Sequence, residues 1–280
     1  MAVLPENASW MTLPGNGEHL HFYHATGFPA GVYTPLLSRL SDQFSVSALN
    51  GRPTWENIGP VPKRRDWEIY ADDLVSFIEK NYQSPVIGVG HSLGAVCTLF
   101  AAEKRPDLFK ALVFIEPAML TRIQAGMIKL LPKAITNRAE PAKTTLRKKD
   151  TWDTREAFLD SCRESYVYKR LSEEAFEALA AHGVVPTPTG QFTLAFPKEW
   201  EAHIYSQPPN VMAELQRVDL PCVGIRAKPS LFFTKDMWGE WQKRCPNTVF
   251  LENLDYGHLF PLENPDDCFK LIRKGLDEIL

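Results

Sequence analysis

Two side chains in this sequence, a serine hydroxyl and an imidazole, stand where they could do chemistry together. Ser92 lies in Gly90-His91-Ser92-Leu93-Gly94, a G-x-S-x-G pattern. The apolar run 85–90 before it reads as a buried strand, and 95–105 behind it as an apolar helix. A serine at such a strand-to-helix turn presents its hydroxyl at the helix N-terminus, beside backbone N–H groups that have no partner within the helix. The flanking glycines permit the strained turn and the close packing of helix on strand. A serine hydroxyl is a weak nucleophile until a neighbouring base takes its proton. His258 can be that base. It sits in Tyr256-Gly257-His258-Leu259-Phe260-Pro261, on a glycine-bearing loop after the last strand.

The elements that must position these two groups follow a regular rhythm. Residues 19–24 read as a strand ending in the loop Ala25-Thr26-Gly27-Phe28-Pro29, and 33–40 as a helix. Residues 44–49 form a second strand, 67–82 a helix, and 111–115 a strand closed by Glu116-Pro117. Alternation of this kind means a mostly parallel sheet covered by helices on both faces. From 118 to 215 the rhythm breaks. Helices are expected at 123–131, 172–182 and 200–205, with at most a short hairpin arm at 190–196. It resumes with strands at 222–225 and 248–251 and helices at 238–244 and 265–280. The expected organisation is one α/β core, residues 1–117 and 216–280, interrupted by a helical insertion, residues 118–215, long enough to cover a site.

This chain resembles the α/β-hydrolase superfamily over essentially its whole length. The resemblance rests on His24-Ala25-Thr26-Gly27-Phe28, on the turn Gly90–Gly94, and on Gly257-His258-Leu259-Phe260-Pro261-Leu262-Glu263-Asn264-Pro265. It implies an α/β-hydrolase fold, a mostly parallel central sheet flanked by helices with an inserted helical cap. It also implies a catalytic triad of Ser92, His258 and an acid that holds the imidazole in its working tautomer. In most of the superfamily that acid is an Asp after the strand that here is 222–225. Here the loop reads Arg226-Ala227-Lys228-Pro229-Ser230, with serine in that place. The implied acid is Glu116, at the other family location, the end of the strand before the insertion; Asp236 is the alternative. Asp255 is too close to His258 along the chain to orient it.

The resemblance further implies an oxyanion hole. One donor is the N–H of Leu93, next to the nucleophile. The other is the N–H of Thr26, with Phe28 as fallback, because Ala25 replaces the family's usual glycine. His24 reads as a structural hydrogen-bonding residue. His91 is the variable position of the turn, packed beside the nucleophile, and His182 and His203 read as exposed or structural.

Composition narrows the rest. Formal net charge is −3 with no long run of either sign, which excludes a concentrated nucleic-acid-binding face. Five widely spaced cysteines, without C-x-x-C, argue against a disulfide framework and suit a reducing, cytoplasmic compartment. The start, Met1 to Asn7, lacks the basic and apolar regions of a signal peptide, and no stretch is long enough to span a bilayer. No metal-spaced cluster and no G-x-G-x-x-G after a strand is present, so neither metal nor nucleotide cofactor is expected. Monomer and homodimer both stay open.

The expected reaction is hydrolysis of a carboxylic ester on a small or medium apolar substrate through an acyl-enzyme. Other bonds open to the same fold are C–C, amide, lactone and thioester, along with cofactor-free perhydrolysis; a non-catalytic small-molecule receptor is the alternative of another class. Met119, Leu120, Ile123, Met127, Ile128, Leu130 and Leu131 make the insertion apolar. Two expectations follow: they line an apolar substrate site, or they form the core between insertion and body.

Overall fold

The computed structural model describes residues 4–63, 66–230 and 232–280; the first three residues of the opening segment read above lie outside the described residues. A seven-stranded sheet organises the chain. Its strands are β1 (Trp10–Leu13), β2 (His19–Tyr23), β3 (Ser45–Leu49), β4 (Val86–His91) and β5 (Phe109–Ile115). Three short strands follow: β6 (Thr151–Trp152), β7 (Val184–Pro186) and β8 (Phe192–Leu194). The last two are β9 (Cys222–Arg226) and β10 (Val249–Glu252). The order in the large sheet is β1-β3-β2-β4-β5-β9-β10. Only β1 runs antiparallel; every other pairing is parallel.

Because side chains alternate across a strand, the sheet has two cores. Leu112 and Phe114 of β5 face one side, where they join Leu74 and Phe77 of helix Glu68–Asn81 and Trp238 and Trp241 of helix Lys235–Arg244. Ala111, Val113 and Ile115 face the other, with Leu36, Leu37 and Leu40 of helix Thr34–Ser41 and Ile272 and Leu276 of helix Pro265–Ile279. Helix Leu93–Lys104 is buried along nearly its whole length. Burial on both faces explains why β4 and β5 read as continuous apolar runs rather than alternating ones.

Between β5 and β9 the chain leaves the large sheet. That segment contains helices Arg122–Leu130, Arg155–Glu164, Glu173–His182 and Lys198–Tyr205. It is not purely helical: β6, β8 and β7 form a small antiparallel sheet. Two- and three-residue strands carry too little periodicity to show in a sequence, and only Phe192–Leu194 fell within an expected hairpin arm. Strand β1 was likewise not expected. It is partly exposed and owes its conformation to pairing with β3.

Candidate active site

The sheet brings the candidate residues together at the C-terminal ends of its parallel strands, where open α/β sheets place their ligands. Register does much of the work. His91, the last residue of β4, pairs with Ile115, the last of β5, so Ser92 and Glu116 leave the sheet side by side. The Ser92 N–H donates to the Ile115 carbonyl at 3.0 Å, and the Glu116 N–H to the Ile225 carbonyl at 2.9 Å.

Ser92 has φ 54°, a left-handed conformation that costs a side-chain-bearing residue energy. The turn holds it there. A Cβ on Gly94 would overlap the carbonyl of Tyr23, and one on Gly90 would overlap the Gly94–Ala95 peptide. Both glycines of the pattern are therefore required by packing. Glu116 also has a left-handed φ, 46°.

The Ser92 hydroxyl donates to His258 Nε2 at 3.0 Å, and His258 Nδ1–H donates to Glu116 Oε2 at 3.0 Å. Glu116 is fully buried, and its second oxygen accepts the Ala227 N–H at 2.6 Å. Asp236, the alternative acid, is exposed in the first turn of helix Lys235–Arg244. Asp255 is exposed as well. Ser230, where the superfamily usually has its acid, folds back on its own loop: its hydroxyl accepts the Phe232 and Phe233 N–H groups, each at 3.2 Å. The Phe232 ring lies 5.0 Å from the His258 ring.

The loop after β2 supplies the opposite wall. The ring of His24 anchors it, donating from Nδ1 to the Ala25 carbonyl at 2.8 Å and accepting the Gly51 N–H at Nε2. Burial pushes His24 down to about 4, so the ring stays neutral. Ala25 N–H donates to the Tyr33 hydroxyl at 3.2 Å, and the Phe28 N–H reaches back to the Ala25 carbonyl at 3.4 Å. The N–H of Thr26, by contrast, has no hydrogen-bond partner among the described residues, and neither has that of Leu93. Both N–H groups are thus open to a ligand, as an oxyanion donor would have to be. Phe28, the fallback, has its N–H turned inward.

His91 does not face Ser92. It is fully buried and accepts the Tyr33 hydroxyl at Nδ1, 2.7 Å away. Burial, with His258 nearby, pushes it down to about 3. His203 is buried, and His182 lies apart from the site against Gly31.

Ser92 and His258 open into a cavity of about 580 Å³. Its walls include Thr26, Phe28, Tyr168, Tyr205, Phe232 and Glu201. Glu201 is paired with Lys148 and abuts Gly27. Lys169 and Arg170 stand at the same cavity, Arg170 paired with Glu263 at 2.7 Å. None of Met119, Leu120, Ile123, Met127, Ile128, Leu130 and Leu131 lines it. The expectation that these residues form an apolar wall of the site is therefore corrected. Met119 is core, whereas Ile123, Met127, Leu130 and Leu131 face solvent. Tyr33, Lys148 and Glu201 escaped the sequence reading because no local pattern marks them: Lys148 and Glu201 meet across 53 residues. Among the described residues no cluster of His, Cys, Asp or Glu could hold a metal ion.

Comparison with known proteins agrees with this architecture. The sequence model of the Alpha/beta hydrolase family matches residues 12–271. The chain is 35% identical over 103 residues to 2-(acetamidomethylene)succinate hydrolase of Mesorhizobium japonicum, a match spanning 36% of each chain. It is 25% identical to the lipase LipV of Mycobacterium tuberculosis over 231 residues, 78% of this chain and 79% of that one. The crystal structure of E-2-(acetamidomethylene)succinate hydrolase superposes with a TM-score of 0.77 at 21% identity, covering 96% of this chain and 95% of that one. A family match running from β1 to the last helix, on a fold with the same parallel sheet, means that this chain belongs to the alpha/beta hydrolase family.

Proposed function

We propose that the protein is a serine hydrolase that cleaves a carboxylic ester through an acyl-enzyme. One observation carries this reading: the continuous hydrogen-bond path from the Ser92 hydroxyl through His258 to the buried Glu116 carboxylate. Ser92 Oγ attacks the acyl carbonyl while His258 Nε2 takes its proton. Glu116 holds the ring with Nδ1–H toward itself and stabilises the imidazolium that forms. The carbonyl oxygen, now negative, is met by the free N–H groups of Thr26 and Leu93, which need no reorganisation. The imidazolium gives its proton to the departing alcohol. It then takes one from water, whose oxygen attacks the acyl carbon; the acid leaves and Ser92 recovers its proton. The insertion, residues 118–215 in this reading, acts as a cap that supplies the cavity's far wall.

The cavity suits a small or medium substrate. Its lining joins apolar side chains, Phe28, Val167, Phe232 and Leu259, to polar ones, Tyr205, Glu201, Lys169 and Arg170, which suits an apolar acyl group that also carries hydrogen-bonding or charged substituents. The same lining supports a second reading, cleavage of an amide in a small carboxylate-bearing substrate, with the same residues in the same roles. A relative named as a hydrolase of 2-(acetamidomethylene)succinate fits that reading. The five free cysteines suit a reducing compartment such as the cytoplasm.

The test is hydrolysis of p-nitrophenyl esters of increasing acyl length beside matched anilides, with Ser92→Ala as the blank. Ester turnover absent from the blank supports the esterase reading. Turnover of anilides alone selects the amide reading. No turnover of either class would reject both.

A further inference from the structure

The helix Arg122–Leu130 is locally well made. Thr121 and Gln124 form a reciprocal capping box, which satisfies N-terminal donors without help from the rest of the protein. Yet none of its residues is buried. Ile123, Met127 and Leu130 recur at i, i+4 and i+7, which places them along one side of the helix. They are 76%, 63% and 86% exposed, and Leu131 and Ile135 continue the apolar surface at 38% and 48%. Single exposed apolar residues need no explanation, but five within thirteen positions form a patch of the kind that marks a contact surface.

Charge indicates what the patch meets. Residues 121–149 hold eight of the chain's 31 lysines and arginines but only one of its 34 acids, Glu140. The protein as a whole is slightly acidic, so this segment is a basic island on it. Arg122, Lys129, Arg138, Lys143, Arg147 and Lys149 are exposed, and none has an ion-pair partner among the described residues. Elsewhere many cations are paired, among them Arg39, Arg52, Lys104, Arg105, Arg163 and Arg217. Arg122 and Lys129 lie off the apolar side of the helix, along a groove shared with Asp66, Glu68 and Glu240. An excess of cations in the same segment as an exposed apolar face complements a surface that offers both negative charge and hydrocarbon. A second copy of the chain is disfavoured by the same charges, since a two-fold contact would set one basic island against the other.

We propose that the Arg122–Leu130 face, with the lysines and arginines of the segment 121–149, docks the protein onto the surface of an anionic lipid bilayer. The apolar side chains enter the acyl boundary while the cations meet the headgroups. No helix among the described residues is long and apolar enough to cross a membrane, so the association is peripheral and reversible.

Flotation with phosphatidylcholine vesicles, and with vesicles in which roughly a third of the lipid is phosphatidylglycerol, tests the proposal. The expected result is binding to the anionic vesicles, weakened at least about tenfold by raising salt or by Ile123→Glu, Met127→Glu and Leu130→Glu combined. Replacing Arg122, Lys129 and Arg138 with Gln should weaken it similarly. Hydrolysis of a soluble ester by each variant, unchanged from the parent, shows that the fold is intact. No binding to either vesicle, or equal binding to both, overturns the proposal. So does a concentration-dependent dimer in sedimentation velocity that the three glutamates abolish, since the face would then belong to a second copy.

Discussion

His91 donates from Nε2 to the backbone carbonyl of His258 at 2.8 Å. A carbonyl only accepts, so this bond sets the His91 tautomer and leaves Nδ1 to accept from Tyr33, which in turn accepts the Ala25 N–H. A single path of hydrogen bonds therefore runs from the loop bearing Thr26, beneath the nucleophile, to the loop bearing His258. Neither His91 nor Tyr33 lines the cavity. They are positioning residues that hold two walls of the site in register.

Tyr33→Phe removes the middle of that path. It leaves the Ala25 N–H and His91 Nδ1 buried and unpaired, a cost of about 1–3 kcal/mol. Thermal unfolding should register that loss. With a soluble ester, kcat should fall roughly tenfold or more while KM changes little, because the misplaced groups act on the transition state. An unchanged kcat would mean the two loops hold their positions independently.

Glu116→Gln should lower kcat by roughly 10³–10⁴-fold, since the neutral amide no longer favours the imidazolium. The amide oxygen can still accept the Ala227 N–H, so the fold should persist by circular dichroism. Asp236→Asn, on an exposed first turn, should leave the rate within about twofold. The reverse pattern would move the proposed acid to Asp236.

Lys148 pairs with a carboxylate set against Gly27, in the loop proposed to hold the oxyanion. Without it, the charge of Glu201 would oppose the negative oxygen that forms nearby. Lys148→Met should reduce kcat/KM by about ten- to a hundredfold, and adding Glu201→Gln in the same chain should restore most of it. Additive losses in the double variant would contradict a charge-balancing role.

Gly94→Ala should abolish soluble expression or cost at least about 3 kcal/mol, because its Cβ would meet the Tyr23 carbonyl, which the sheet holds in place. Gly126→Ala is the control. Nothing lies within 4 Å of its added carbon, and the helix should gain about 0.5–1 kcal/mol. Paired melting curves read both.

Acid should destabilise the fold from near neutrality downward. Burial pushes His21 and His91 down to about 3 and His24 to about 4, against roughly 6.5 in an unfolded chain. Below that value the unfolded state binds protons that the native state refuses, so stability is complete above about pH 6.5 and is lost as pH falls toward 3. Asp73 works in the opposite sense. Burial, partly countered by Arg52, pushes it up to about 6, so its proton favours the native state between about 4 and 6 and offsets part of the loss. The net expectation is a Tm clearly lower at pH 4.5 than at pH 7. A flat profile would mean these rings are not neutral in the fold.

Much of this was legible in the residues themselves. The six strands read from the sequence all occur, within two residues at either end; β4 and β5, buried on both faces, leave nearly unbroken apolar runs. The turn at Ser92 was readable because its requirement is local: two glycines, a strand before and a helix after, all within about twenty residues. The proposed base, His258, stood out by its loop. Helix Arg122–Leu130 was readable as a helix, but not the direction of its apolar side. Periodicity reports that a face exists, not what it meets, and here it meets solvent.

Other relationships belong to the tertiary structure alone. Which acid partners His258 is decided across 142 residues, by the β4–β5 register and the turn at Glu116. Which N–H groups stay free for an oxyanion depends on Tyr33 and the Ala25 carbonyl having taken the neighbouring partners. The Lys148–Glu201 pair exists only because helices Ala142–Arg147 and Lys198–Tyr205 pack together, and it meets Gly27 only because that segment lies over the loop after β2. The chain by itself determined the strand rhythm, the strained turn and the two chemical groups most able to react, since each is written in a short window of residues. The partner of each group required the packed sheet, because partners distant in sequence meet only once the order and register of the strands are set.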